Sequence, residues 1–236
     1  NHGAAVAYAA SKLHAPSTVF VPGLIAVEVK LARMRGFGAE VIVTEGSVDR
    51  AILAYEEHAG ETGALAVHPY NSPETIAGQG TVGLEFEDQC PDLDTLFVSV
   101  GGGGLIGGIA AWYAGRVKVV AVETEGTSSL DRTLKGTIAP DFHVSGISAS
   151  GLGASSIGDL PLQLIRAHVA ENLVVGDDDV FEAQRRLWAA ARIVGEPGGV
   201  TALAALTSGA YAPAPDERIG VLICGGNADP AWFQDA

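Results

Sequence analysis

Cysteine is scarce: Cys90 and Cys224 are the two thiols in 236 residues. A pair so sparse implies no disulfide framework and no small stapled fold. Cationic side chains are also few. Fourteen Lys+Arg against 28 Asp+Glu leave a formal net charge of −14, which argues against a nucleic-acid partner or an acidic membrane surface. No segment reads as a signal peptide. The longest uncharged run, residues 95–115, is broken by glycines, four of them consecutive, and such a run does not span a membrane as a helix. The cytoplasm is then the default location. What is present suits a compact globular enzyme: 47% apolar and 18% charged residues, in a chain long enough for one large domain or two small ones.

The chain is organised around residues 95–112, TLFVSVGGGGLIGGIAAW. The first six read as a buried strand and the last eight as a helix. Gly101, Gly102, Gly103 and Gly104 between them let backbone N–H groups turn inward without Cβ clashes. With the positive end of the following helix they form an anion site, and a bound phosphate is the first inference. A purely structural tight turn is the plainer alternative. Gly102, Gly104 and Gly107 also have G-x-G-x-x-G spacing, and Glu123 ends the next strand (residues 117–122), where a ribose-binding acid would sit. On this segment alone an NAD enzyme and a phosphate-bearing cofactor such as pyridoxal phosphate fit equally well.

Asn1-His2-Gly3 runs directly into an alanine-rich helix over residues 4–13. Its amide and the free N–H groups suit a polar ligand; an ordinary N-cap is the alternative. Strands over 17–21, 40–43 and 65–67 alternate with helices over 26–34 and 49–59, which predicts a parallel sheet with helices on both sides. Two lobes are expected, residues 1–68 and 69–236. Residues 68–74, HPYNSPE, form a turn-rich connection into residues 75–81, TIAGQGT, from which a helix runs to about residue 88. Small residues at 77, 78 and 80 suggest close approach by a backbone or a ligand, and His68 reads as a structural loop residue. Glu123 is either a ligand or hinge carboxylate or a solvated acid. The irregular, uncharged stretch 144–158 has the length of a functional loop. Asp177, Asp178 and Asp179 open a long helix and serve its dipole, with Asp179 and Glu182 at capping-box spacing and Val180, Phe181, Leu187, Trp188, Ala191 and Val194 on the apolar face. Residues 196–199, EPGG, break to a helix over 201–207, and a strand over 219–223 ends in Cys224-Gly225-Gly226-Asn227. Cys224 is a core thiol or, as its place at a strand end favours, a ligand contact.

Taken together, NHG, HPYNSPETIAGQGT, SVGGGGLIGG, AVETEG, EPGG and CGGN, in this order and spacing, resemble the pyridoxal-phosphate enzymes of the tryptophan synthase β type, and more narrowly the threonine/serine dehydratases and serine racemase. The resemblance covers nearly the whole chain and implies an α/β fold of two lobes with open parallel sheets, fold type II. It implies that Gly101, Gly102, Gly103, Gly104 and the Leu105 amide hold the phosphate of pyridoxal 5'-phosphate. Asn1 would bond the ring hydroxyl, and Cys224 would sit at the ring nitrogen. The implied reaction is β-elimination of a small hydroxy amino acid to a 2-oxo acid and ammonia, in a homodimer. Racemisation of an amino acid is the alternative within the family, and an NAD-dependent oxidoreductase the one outside it.

Two departures stand out. The family's Schiff-base lysine lies upstream of the Asn-His-Gly position, and none of Lys12, Lys30, Lys118 or Lys135 has its motif. The chain is therefore expected to be a fragment of a longer protein and inactive alone, and without a downstream regulatory domain no isoleucine feedback is expected. The resemblance also implies a divalent-cation site at Glu123 and the Thr127 carbonyl. Ser129 stands where the third ligand, an aspartate, would be, and an oxygen site for a hard cation loses charge that way.

Overall fold

The computed structural model describes residues 1–46 and 48–228, which divide into two compact units, 1–69 and 70–236. In the first unit, α1 (His2–Lys12), β1 (Thr18–Pro22), α2 (Glu28–Gly36), β2 (Glu40–Thr44) and α3 (Val48–Thr62) follow in order. The two strands pair in parallel, from Thr18 opposite Glu40 to Pro22 opposite Thr44. Ala7, Leu31, Met34 and Ala39 form the core. Gly3 lets α1 lie on β1, since a Cβ there would come within 2.6 Å of Val19 Cγ1 and 2.9 Å of Met34 Sδ. The strand expected over 65–67 does not form. Among the described residues no strand pairs with it, and Leu65 is 88% exposed; an apolar run without a hydrogen-bonding neighbour is not yet a strand.

The second unit contains α4 (Pro73–Gln89), β3 (Thr95–Ser99), α5 (Gly104–Tyr113), β4 (Lys118–Thr124), α6 (Ser129–Lys135), α7 (Asp159–His168), β5 (Val169–Val175), α8 (Asp177–Ala191), α9 (Pro197–Thr207) and β6 (Ile219–Val221). All ladders are parallel, in the order β5-β4-β3-β6. Every residue of β3 is buried, as expected of a strand covered on both faces. Leu96 and Val98 join Ile106, Ile109 and Ile165 on one face, while Phe97 joins Val120, Val180 and Val200 on the other.

Local chemistry explains where elements depart from the sequence expectation. Helix α4 begins at Pro73, well ahead of residue 81, because the Ser72 hydroxyl caps it by accepting from the Thr75 N–H at 3.2 Å, with proline at the first helical position. Of its small residues Gly80 faces a backbone, since a Cβ there would lie 3.2 Å from the Gly108 carbonyl oxygen of α5, whereas one on Gly78 would meet nothing within 4 Å. In α8 the N-terminal bond is from Gly176 N–H to Asp179 at 3.0 Å, whereas Glu182 pairs with Arg186 at 2.9 Å. Phe181 is 45% exposed, and α8 ends before Val194. Helix α9 starts at Pro197 rather than at 201, again with proline in the first turn. Helices α6 and α7 and strand β5 had no counterpart in the sequence reading.

Candidate active site

From β3 the chain moves outward to β4 and β5, then crosses to β6 on the other side of β3. The segments leaving β3 and β6 therefore lie side by side at the carboxyl edge of the sheet, the edge where open α/β sheets bind ligands. Residues 101–104 follow β3, and Cys224-Gly225-Gly226 lies just past β6.

The protein itself demands each glycine of the loop. A Cβ on Gly101 would lie 3.2 Å from Leu152 Cα. One on Gly102 would strike the Tyr70 ring, and one on Gly104 would come within 2.8 Å of Tyr70 Cα. Gly103 has φ +90° and would meet Pro161 Cβ at 2.9 Å, so it is doubly constrained. Gly102 also accepts from the Gly158 N–H at 3.2 Å. The irregular stretch 144–158 is thus the outer wall of the glycine loop.

Yet packing leaves the loop's donors unused. Among the described residues no oxygen accepts from the N–H groups of Gly101 to Ile106; the first amide to find a partner is Gly107, bonded to the Gly103 carbonyl at 2.8 Å. Gly103 and Gly104 are buried. Buried amides are almost always paired, so a run of orphan donors at the N-terminus of α5 fits an anion. The donor set suits a phosphate ester.

Cys224 sits beside this loop. Its N–H bonds the Gly199 carbonyl at 3.2 Å, and its thiol lies near the hydroxyl of Ser99, two residues before Gly101. The residue keeps an exposed edge, but desolvation of the thiol and the charge of Glu196 push its pKa up to about 11. It is a neutral thiol across the physiological range.

Glu123 is neither solvated nor turned toward a ligand. It is completely buried, and its two oxygens accept from Leu130 N–H at 2.7 Å, Asp131 N–H at 2.8 Å and Asn172 Nδ2 at 3.2 Å. Burial nonetheless pushes its pKa up to about 7. The Thr127 hydroxyl lies 2.9 Å from that of Thr124, and the Ser129 hydroxyl donates to the Ala154 carbonyl at 2.6 Å. The carboxylate caps α6, and N–H donors already surround it where a cation would have to approach. Among the described residues no group of three His, Cys, Asp or Glu could hold a metal ion, so the divalent cation finds no support. The capped carboxylate is equally unavailable to a ribose, which removes the reason for the dinucleotide alternative.

Asn1 belongs to the first unit, as the N-cap residue of α1, with no side-chain capping bond. In the second unit Lys118 starts β4, at the opposite edge of the sheet from the glycine loop, and pairs with Glu171 at 3.0 Å. Lys135 pairs with Asp131 at 2.8 Å. Neither reaches the loop. The sequence reading missed Tyr70, Ser99 and Glu196 as site residues. Each lies inside a motif it quoted, but only the folded chain brings them to one edge. No helix among the described residues is long and apolar enough to cross a membrane.

The sequence profile of the family described as "Pyridoxal-phosphate dependent enzyme" matches residues 1–225. The chain is 33% identical over 232 residues to an L-threonine ammonia-lyase of Thermotoga maritima, covering 97% of this chain but only 57% of that protein. It is 34% identical over 236 residues to a phenylserine dehydratase of Ralstonia pickettii, covering 99% of this chain and 72% of the relative. The structure of maize serine racemase superposes with a TM-score of 0.88 at 31% identity, covering 99% of this chain and 73% of that one.

Proposed function

The chain belongs to the pyridoxal-phosphate-dependent enzyme family, and on that premise we propose that the protein is a threonine/serine dehydratase, an ammonia-lyase that converts a small hydroxy amino acid to a 2-oxo acid and ammonia. The observation that carries the proposal is the run of unpaired amides from Gly101 to Ile106 at the carboxyl edge of the sheet, with Cys224 beside it.

In this reading Gly101, Gly102, Gly103, Gly104 and the Leu105 amide hold the cofactor phosphate, reinforced by the positive end of α5. Asn1 bonds the ring hydroxyl. Bound pyridoxal phosphate supplies an electron sink for the Cα of the substrate. Cys224, as a neutral thiol, offers the ring nitrogen a weak hydrogen bond and no charge, where a carboxylate would keep that nitrogen protonated. A moderated sink of this kind suits loss of the β-hydroxyl over transamination. The base that takes the Cα proton is the family's lysine, which the resemblance places upstream of Asn1. A cytoplasmic homodimer completes the proposal.

The test has two parts. Fluorescence titration with pyridoxal phosphate is expected to show saturable binding that Gly103→Ala weakens. Oxo-acid production is then assayed with L-threonine and L-serine on the natural polypeptide that contains this chain. Absence of cofactor binding would refute the proposal. Racemisation is the second reading, favoured by the likeness to maize serine racemase; loss of substrate chirality without oxo acid would establish it.

A further inference from the structure

Glu196 is a buried carboxylate, 2% exposed, that the proposed reaction does not use. It is the N-cap residue of α9, and its N–H donates to the Gly225 carbonyl at 3.0 Å. Its side chain occupies the space that Gly225 leaves open. A Cβ on Gly225 would strike Glu196 Oε1 and lie 2.9 Å from its Cδ, and one on Gly151 would lie 3.7 Å from Oε2. The turn carrying it is braced from behind, where Gln184 Nε2 donates to the Gly195 carbonyl at 2.7 Å. Beside its burial, the groups that act on the Cys224 thiol are the Glu196 carboxylate, its own backbone N–H and the Ser99 hydroxyl, from the end of β3; among the described residues no cation does.

Glu196 thus sets a buried carboxylate against the Cys224-Gly225 turn. Its negative charge has a definite consequence for the neighbouring thiol. A like charge close by disfavours the thiolate, and the Ser99 hydroxyl, which accepts from the Ala202 N–H at 3.0 Å and keeps its own O–H to donate, opposes it only in part.

We propose that Glu196 is a positioning residue for Cys224: its carboxylate, seated against the Cys224-Gly225 turn, keeps the Cys224 side chain a hydrogen-bond-donating thiol at the ring end of the cofactor site. The inference rests on the dehydratase reading for the site's purpose, but the coupling of the two side chains is a property of the protein alone.

The coupling is measured on the cofactor-free protein carrying Cys90→Ser, so that Cys224 is the one remaining thiol. Its alkylation by iodoacetamide is followed from pH 7 to pH 10, where the rate tracks the thiolate fraction. Glu196→Gln is expected to raise the rate at pH 8 by about tenfold, one unit of pKa. Glu196→Asp, which keeps the charge, should stay within about threefold of the parent. Where Glu196→Gln does not fold, Glu196→Met serves as the neutral variant. An unchanged profile in the neutral variant overturns the inference, as does an equal rise in Glu196→Asp, which would make the effect one of packing.

Pyridoxal phosphate titration of the same proteins separates the two claims. If the parent binds no cofactor, the dehydratase reading fails while the thiol profiles still decide the coupling. If the parent binds cofactor and the profiles coincide, the role of Glu196 fails alone.

Discussion

The same substitution at two glycines of one helix pair should have opposite effects. Gly78 lies within α4, exposed, and a Cβ there would meet nothing within 4 Å. Gly108 lies within α5, and a Cβ there would strike the Ile76 carbonyl oxygen and come within 2.6 Å of Gly80 N and 3.0 Å of Gln79 C. All three are backbone atoms, and no rotamer change moves them aside. In a helix interior alanine is favoured over glycine by about 1 kcal/mol, so Gly78→Ala should stabilise by roughly that amount. At Gly108 the same gain is opposed by overpacking of about 1–3 kcal/mol. Rigid partners place the cost at the upper end, leaving a net loss of about 2 kcal/mol. Urea unfolding followed by circular dichroism should separate the two variants by about 3 kcal/mol, with the parent between them. Because α5 opens at Gly104, Gly108→Ala should also weaken pyridoxal phosphate binding while Gly78→Ala leaves it unchanged. Two variants within about 0.5 kcal/mol of each other would refute the argument that backbone contact, not ligand contact, selects the small residues of this helix pair.

Glu123→Ala strips the partner from the Leu130 and Asp131 amides and from Asn172 in a fully buried position. It should destabilise by about 3 kcal/mol in urea unfolding, and added magnesium should not restore the loss. Gly103→Ala, at φ +90°, should weaken pyridoxal phosphate binding by about 5- to 150-fold in fluorescence titration, since strain of about 1–3 kcal/mol falls on the donor loop. Asp94, held at a pKa of about 2 by hydrogen bonds from Arg218, is depressed relative to its unfolded value of 3.8. Its contribution to stability is therefore present above that value and lost as pH falls through about 2. Asp94→Asn should lower the unfolding midpoint at pH 7, with the difference from the parent vanishing between pH 4 and pH 2.

Sequence by itself determined the alternating α/β pattern, the family and the position of the glycine loop between β3 and α5. Those signals are local: a β-branched run, four glycines and an apolar helix need no distant residue to be read, because strand, turn and helix each arise within a few residues. Amphipathic α7 and the edge strand β5 were missed because burial in both is partial, with Leu160 37% exposed and no long apolar run to mark them. The strand expected over 65–67 failed for the converse reason, since strandedness belongs to a pair and not to a sequence.

Only the tertiary structure decided what the polar residues do. Glu123 looked like a ligand or a solvated acid, and became a helix cap once the packing of α6 and β5 aimed three N–H donors at it. Glu196 and Cys224 are 28 positions apart in the chain and act on each other because parallel β6 returns to the edge where α9 begins. The glycines at 101–104 are legible as a strand-to-helix loop, but the walls that crowd side chains there, Tyr70, Leu152 and Pro161, come from remote segments. Electrostatics and close packing depend on distances through space, and covalent order fixes those only after the chain has folded.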